Sequence, residues 1–251
     1  MFLKILARST SAVLANRKKI VALVGVWAAV MAVWFVISLS GGLADIGASQ
    51  SGKLMILLTH IGLNSIVGAA IAVIWHRLFL LREEQKSGLF RFGAVEFEYL
   101  GRALLIGFGW GVAIGLSGIL LYTAFGSNGL IATAGIILVS APLNYRLSLV
   151  LPATAIGERF SFKDALRVSK GLGLPMALVN LVLLLPIFAV FTIGTFFQNL
   201  LVAIAGPGVK VVVGTMLEVG LTFATALVYV TVLSVGYNLA KERWFSAAAN
   251  T

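Results

Sequence analysis

Two ionisable residues stand inside long apolar stretches of this 251-residue chain. His60 lies in the stretch Leu54–Trp75 and Glu218 in the stretch Val211–Leu239. An ionisable group in hydrocarbon is costly, and by default it marks a substrate path or a proton relay. At a helical rise of ~1.5 Å per residue, His60 is expected about 9 Å from the outer end of its stretch, and Glu218 about 10–12 Å from the outer end of its own. The depths agree, so the two groups can meet. Asn64 lies one turn from His60 on the same helix face. The residues therefore predict an intramembrane polar cluster of His60, Asn64 and Glu218. Its chemistry is either uptake of a proton or small substrate, or interhelical hydrogen bonding worth ~0.6 kcal/mol per contact on average. One imidazole, one carboxylate and one amide fall short of a usual metal-ligand set, so neither metal nor cofactor is expected.

A second group of polar residues lies toward the opposite ends of the spans. Arg146 and Asn144 approach the end of one apolar stretch, and Asn180 enters the next from the same side. Arg146 can snorkel to lipid headgroups. Lys163, Arg167 and Lys170 fall on one face of a short amphipathic pattern, with Phe162, Ala165, Leu166 and Ser169 on the other. Ser161 followed by Asp164 is a capping-box spacing using the shorter acid, and Gly171 can close the helix. Arg146, Lys163, Arg167 and Lys170 are thus the expected contacts for anionic headgroups. The chain has no GxSxG, HExxH or P-loop pattern and no paired-carboxylate site. It has no cysteine, which excludes disulfides, thiolate metal sites and cysteine nucleophiles.

The elements that hold these residues follow from composition. Sixty per cent of the residues are apolar and 11% are charged, and the mean hydropathy is +1.03. A soluble domain carries roughly 25% charged residues, so an all-α polytopic membrane protein is expected. A spanning helix needs ~20 mostly apolar residues. Six stretches qualify, at about residues 20–39, 54–75, 103–125, 130–151, 172–197 and 211–239. They form one membrane domain over residues 20–239, preceded by a basic segment 1–19 and followed by a tail 240–251. Of the 19 Lys and Arg residues, 17 fall on one side of this six-span arrangement. The positive-inside rule then predicts both termini in the cytoplasm of a cell inner membrane. The net charge of +10 is explained as topogenic and as facing anionic lipid. No basic module exists to bind nucleic acid.

Between the spans three segments carry their own patterns. Residues Met1–Arg17 read as an amphipathic surface helix or as an extension of the first span. Leu89–Tyr99 alternates in polarity around Gly93-Ala94 and favours a β-hairpin; the alternative is a helix starting near Ala94 with Glu98 and Arg102 paired at i,i+4. The pattern 161–171 predicts an interfacial helix between spans four and five. Gly107, Gly109, Gly111 and Gly115 give a GxxxG-type stripe expected to pack tightly, within the bundle or in a dimer.

The run from Arg146 through Pro152 to Ser161…Asp164-Ala165-Leu166…Ser169…Gly171 resembles a signature of uncharacterised bacterial six-span inner-membrane families. Those families are related to the membrane domain of some glycerophosphodiester phosphodiesterases. The resemblance covers about residues 146–171 and, loosely, the six-span layout. It implies a helical membrane module with an interfacial helix. It carries no phosphodiesterase activity, because in those enzymes a separate soluble domain rich in acidic and His residues does the catalysis, and this chain has no room for one. The expected function is therefore non-enzymatic: an accessory subunit or an envelope- or lipid-organising protein, with membrane lipids and a membrane-protein partner or second copy as partners. The alternative is a small transporter or lipid-handling protein that uses the intramembrane cluster.

Overall fold

The computed structural model describes residues 1–39, 49–81, 93–206 and 208–248, and among them it is helical throughout, with no strand. The helices are α1 (Phe2–Ala15), α2 (Arg17–Leu39), α3 (Gln50–Leu80), α4 (Ala94–Phe125), α5 (Ser127–Leu147), α6 (Val150–Ala155), α7 (Phe162–Val168), α8 (Gly173–Ala205) and α9 (Gly208–Ala248). Five stretches are long and apolar enough to cross a membrane: Gln50–Leu80, Ala94–Phe125, Ser127–Ala155, Gly173–Ile204 and Val212–Trp244. These are longer than the apolar stretches that identify them, because the helical hydrogen-bond ladder continues through flanking polar residues.

Helix α9 is the central element and packs against α1, α2, α3, α6, α7 and α8. Its C-terminal half is largely buried: Val232, Leu233, Val235 and Ala240 have no exposed surface. Helix α1 is separated from α2 at Asn16, whose backbone N–H turns back to the Val13 carbonyl. It docks through Ile5, Ser9 and Ala12, spaced to share one helix face. Lys4 and Arg8 reach Glu242 at 3.4 and 2.7 Å, so the two ends of the chain meet at one end of the bundle, called here the terminal end. The fourth apolar stretch is not one uninterrupted helix. It breaks at Ser148–Leu149, between Pro142 inside α5 and Pro152 inside α6.

Two expectations are corrected. Residues 93–99 are not part of a hairpin: α4 starts at Ala94, the Glu96 carboxylate accepts the Gly93 N–H at 2.9 Å, and Glu98 pairs with Arg102 at 2.7 Å. Local acid–base pairing along a helix satisfies these charges better than a two-residue turn, while Leu89–Phe92, the other half of that reading, lie outside the described residues. Of the two places expected for tight packing of the α4 glycine stripe, the one within the bundle is not seen among the described residues, which leaves a dimer. A methyl group built at Gly107, Gly109, Gly111 or Gly115 meets nothing within 4 Å among the described residues. The most apolar eighteen-residue window of α4 contains no buried residue at all. Close packing falls instead on α5, α8 and α9. A methyl at Gly173 would stand 2.3 Å from the Pro142 carbonyl, and one at Gly236 2.1 Å from Met176 Sδ.

Candidate functional site

His60, Asn64 and Glu218 line one cavity. It lies between α2, α3 and α9, in the half of the bundle away from the terminal end, and holds about 130 Å³. Met31, Trp34, Thr215, Val219 and Thr222 complete the lining. Asn64 Nδ2 stands 3.0 Å from His60 Nε2 and 3.0 Å from the His60 carbonyl oxygen. With Nε2 accepting this bond, the neutral imidazole carries its proton on Nδ1. The Trp34 ring lies 6.4 Å from the imidazole, centroid to centroid. Glu218 is exposed from the protein at the cavity's edge and forms no hydrogen bond or ion pair among the described residues. A carboxylate, an imidazole, an amide and two threonine hydroxyls therefore surround a small volume walled by apolar side chains. That set can accept, hold and release a proton or a small hydrogen-bonding solute. Among the described residues no group of three or more metal-ligating side chains occurs.

The headgroup residues divide. Lys163 and Arg167 are exposed on α7, and Lys170 is exposed in the turn just after it. The capping box forms as its spacing suggests: the Ser161 hydroxyl accepts the Asp164 N–H at 3.1 Å, and the Asp164 carboxylate accepts the Ser161 N–H at 3.2 Å. The Ser161 hydroxyl also donates to the Asp164 carboxylate at 2.6 Å, and this bond first, then that from the Ser161 N–H, holds the Asp164 carboxyl below its usual range, with Arg167 adding to them. Arg167 pairs with Asp164 at 3.2 Å and lies over the Trp244 ring at 4.5 Å. Arg146 is turned inward. Its Nε donates to Ser169 Oγ at 3.2 Å and its Nη2 to the Leu166 carbonyl, so it fastens α5 to α7. Asn144 and Asn180 each keep a buried amide oxygen without a partner among the described residues.

A second polar centre at the terminal end was not anticipated from the sequence. His76, on α3, has no exposed surface. Its Nδ1 lies 2.8 Å from Ser234 Oγ and its Nε2 3.2 Å from the Tyr99 hydroxyl. Nearby, the Tyr229 hydroxyl donates to Ser148 Oγ at 2.7 Å, and the Tyr145 and Tyr229 rings are 5.3 Å apart. Glu158 accepts from Tyr237 and, at 2.5 Å, from Lys241. Desolvation raises the Glu158 carboxyl, but the bonds from Lys241 and Tyr237 outweigh it and hold the group below its usual range. His76 directly follows the apolar stretch ending at Trp75, so it reads as a boundary residue. The signal that finds it is its position on the i, i+4 row that runs from His60 through Asn64.

No family model, curated protein or solved structure matches this chain.

Proposed function

We propose that the chain is a non-enzymatic, six-span protein of a bacterial inner membrane that acts as a small transporter, coupled to a proton at the His60–Asn64–Glu218 cavity. The observation that carries this reading is that three polar residues from two distant apolar stretches line one small cavity, together with two threonines and the apolar side chains of Met31, Trp34 and Val219. Structural hydrogen bonding accounts for His60 with Asn64, but it leaves Glu218 facing the cavity with no hydrogen-bond partner among the described residues. The volume decides the class of ligand. About 130 Å³ is room for about four waters at ~30 Å³ each, and lies below the ~300 Å³ where drug-sized ligand pockets begin. A proton, water or a very small solute fits; a lipid headgroup with its glycerol does not.

The six-span topology is supported by α2, whose Ile20–Leu39 segment carries no charge. Helix α2 runs antiparallel to α3, with Trp34 beside His60 and Trp27 beside Gly68. The contact of Lys4 and Arg8 with Glu242 supports an even number of crossings, since it brings the two ends of the chain to one end of the bundle. The excess of Lys and Arg at the terminal end makes that end cytoplasmic, where the basic face of α7 lies along anionic headgroups. This layout agrees with the resemblance of residues 146–171 to the six-span membrane modules.

A second reading is favoured by one observation. The glycine stripe of α4 meets no neighbour among the described residues, which leaves this face open to another membrane protein or a second copy, as an accessory subunit requires. Reconstitution separates the two. Purified protein in vesicles of phosphatidylethanolamine and phosphatidylglycerol should take up protons under an imposed potential, read by an entrapped pH-sensitive dye. Glu218→Gln should abolish that uptake. Uptake absent from the wild type, or unchanged in Glu218→Gln, returns the protein to the accessory role.

A further inference from the structure

The two histidines of the chain lie on one row of α3, and that row faces a matching row of α9. His60 and Asn64 share a cavity with Glu218 and Thr222. Gly68 and Ala72 share a second, smaller cavity of about 20 Å³ with Ala226 and Val230. His76 then meets Ser234 at 2.8 Å. Each pair is separated by 158 residues, the value recorded for His76 and Ser234. The two helices run side by side in the same direction over four steps of four residues. At ~1.5 Å per residue those sixteen residues cover about 24 Å, most of a hydrocarbon core of ~30 Å. The seam thus has a protonatable station at each end, with small residues between.

The small residues leave room that α2 fills. The Trp27 ring packs against Gly68, where an added methyl would lie 3.4 Å from it. It meets Phe223 edge to face at 5.7 Å between centroids. Both rings are nearly fully buried, and Trp27, Trp75 and Phe223 line the small cavity. The indole N–H groups of Trp27 and Trp75 are buried without a hydrogen-bond partner among the described residues. Two unpaired donors beside a space large enough for one water are out of place in a purely apolar plug, because buried donors are normally paired.

We propose that the α2–α3–α9 seam is a proton path across the membrane, with the outer station at His60 and Glu218, the inner station at His76, and the Trp27–Phe223 pair as the hydrophobic gate between them. This rests on the proton-linked cavity argued above. A proton bound at the outer cavity leaves it on water admitted when the two rings part. The His76 imidazole accepts it on one nitrogen and releases one from the other, toward the Tyr99 hydroxyl and the cytoplasmic end. The groups facing His76 are Ser234 from α9 and Tyr99 from α4. Those facing the outer station are Trp34 from α2 and Thr215 and Thr222 from α9.

The test is passive proton flux in the same vesicles. Trp27→Ala and Phe223→Ala should each raise it at least tenfold. Ala226→Ser, which adds one hydroxyl to the apolar segment and removes no packing, should raise it several-fold and stands in where the aromatic variants fail to fold. Adding Glu218→Gln or His76→Phe to any of these should return the flux to the level of empty vesicles. No rise in the folded variants overturns the gate. A rise insensitive to both Glu218→Gln and His76→Phe is an unspecific leak and overturns the path. If wild-type uptake still depends on Glu218 while the gate variants change nothing, the cavity keeps its function and only the seam is lost; if uptake never depends on Glu218, the cavity reading itself has failed.

Discussion

Arg146 and His76 show what single residues do and do not reveal before the fold is known. An Arg at the end of an apolar stretch reads as a snorkelling cation, yet its guanidinium is spent on Ser169 and the Leu166 carbonyl. Hydrogen bonds to a charged group are worth about 1.5–3 kcal/mol, so Arg146→Ala should lower stability by about 2 kcal/mol in detergent unfolding. Arg146→Lys should recover only part of that, because the ammonium lacks the fork. Equal stability of the wild type and both variants would make Arg146 a lipid contact after all. Glu158 supplies a pH test. Its carboxyl is held below the ordinary value of 4.5 by Lys241 and Tyr237. Such a group stabilises the fold fully above the unfolded value, and this contribution is lost as pH falls through the lowered folded value. Melting temperature should therefore drop below about pH 4.5 in the wild type and drop less in Glu158→Gln.

At the scale of elements, local patterns were readable wherever they satisfied their own backbone. The seven residues of α7 followed from Ser161, Asp164 and the two-faced spacing. Ser161→Ala should cost ~1 kcal/mol, measured as a loss of thermal stability. The start of α4 was not readable in the same way. Alternation in Leu89–Tyr99 fits strand and helix alike, and the bond that the Gly93 N–H donates to Glu96, with the Glu98–Arg102 pair, decides it for residues 93–99. Glycine spacing was equally ambiguous, since a GxxxG stripe shows that close approach is allowed and not where it happens. Gly173→Ala should destabilise by about 1–3 kcal/mol through overpacking, because the Pro142 carbonyl is already there. Gly111→Ala, with nothing nearby, should be neutral or stabilising by up to ~1 kcal/mol from helix propensity. Thermal unfolding of the two variants side by side reads the difference.

For the whole molecule, composition and the distribution of Lys and Arg were enough for a helical membrane bundle. They were also enough to bring His60, Asn64 and Glu218 to a common depth. Which helices are neighbours was not in the sequence, because apolar faces in lipid carry no periodic signal that tells a partner helix from a lipid tail. The contacts of His76 with Ser234 and Tyr99, the Tyr229–Ser148 bond and the central place of α9 therefore emerge only in the fold. Reporter fusions at Ser49 and Asn128 should fall outside and those at Lys163 and Glu242 inside; one fusion on the wrong side removes the six-span topology. Everything proposed for the cavity depends on α3 and α9 presenting their polar rows to each other. The absence of native cysteine makes this directly measurable. A chain carrying Asn64→Cys and Thr222→Cys should be closed by a short bifunctional thiol reagent in native membranes, giving one intramolecular product, while Leu116→Cys paired with Thr222→Cys should not. Failure of the first pair to cross-link, with both thiols reactive, would contradict the account.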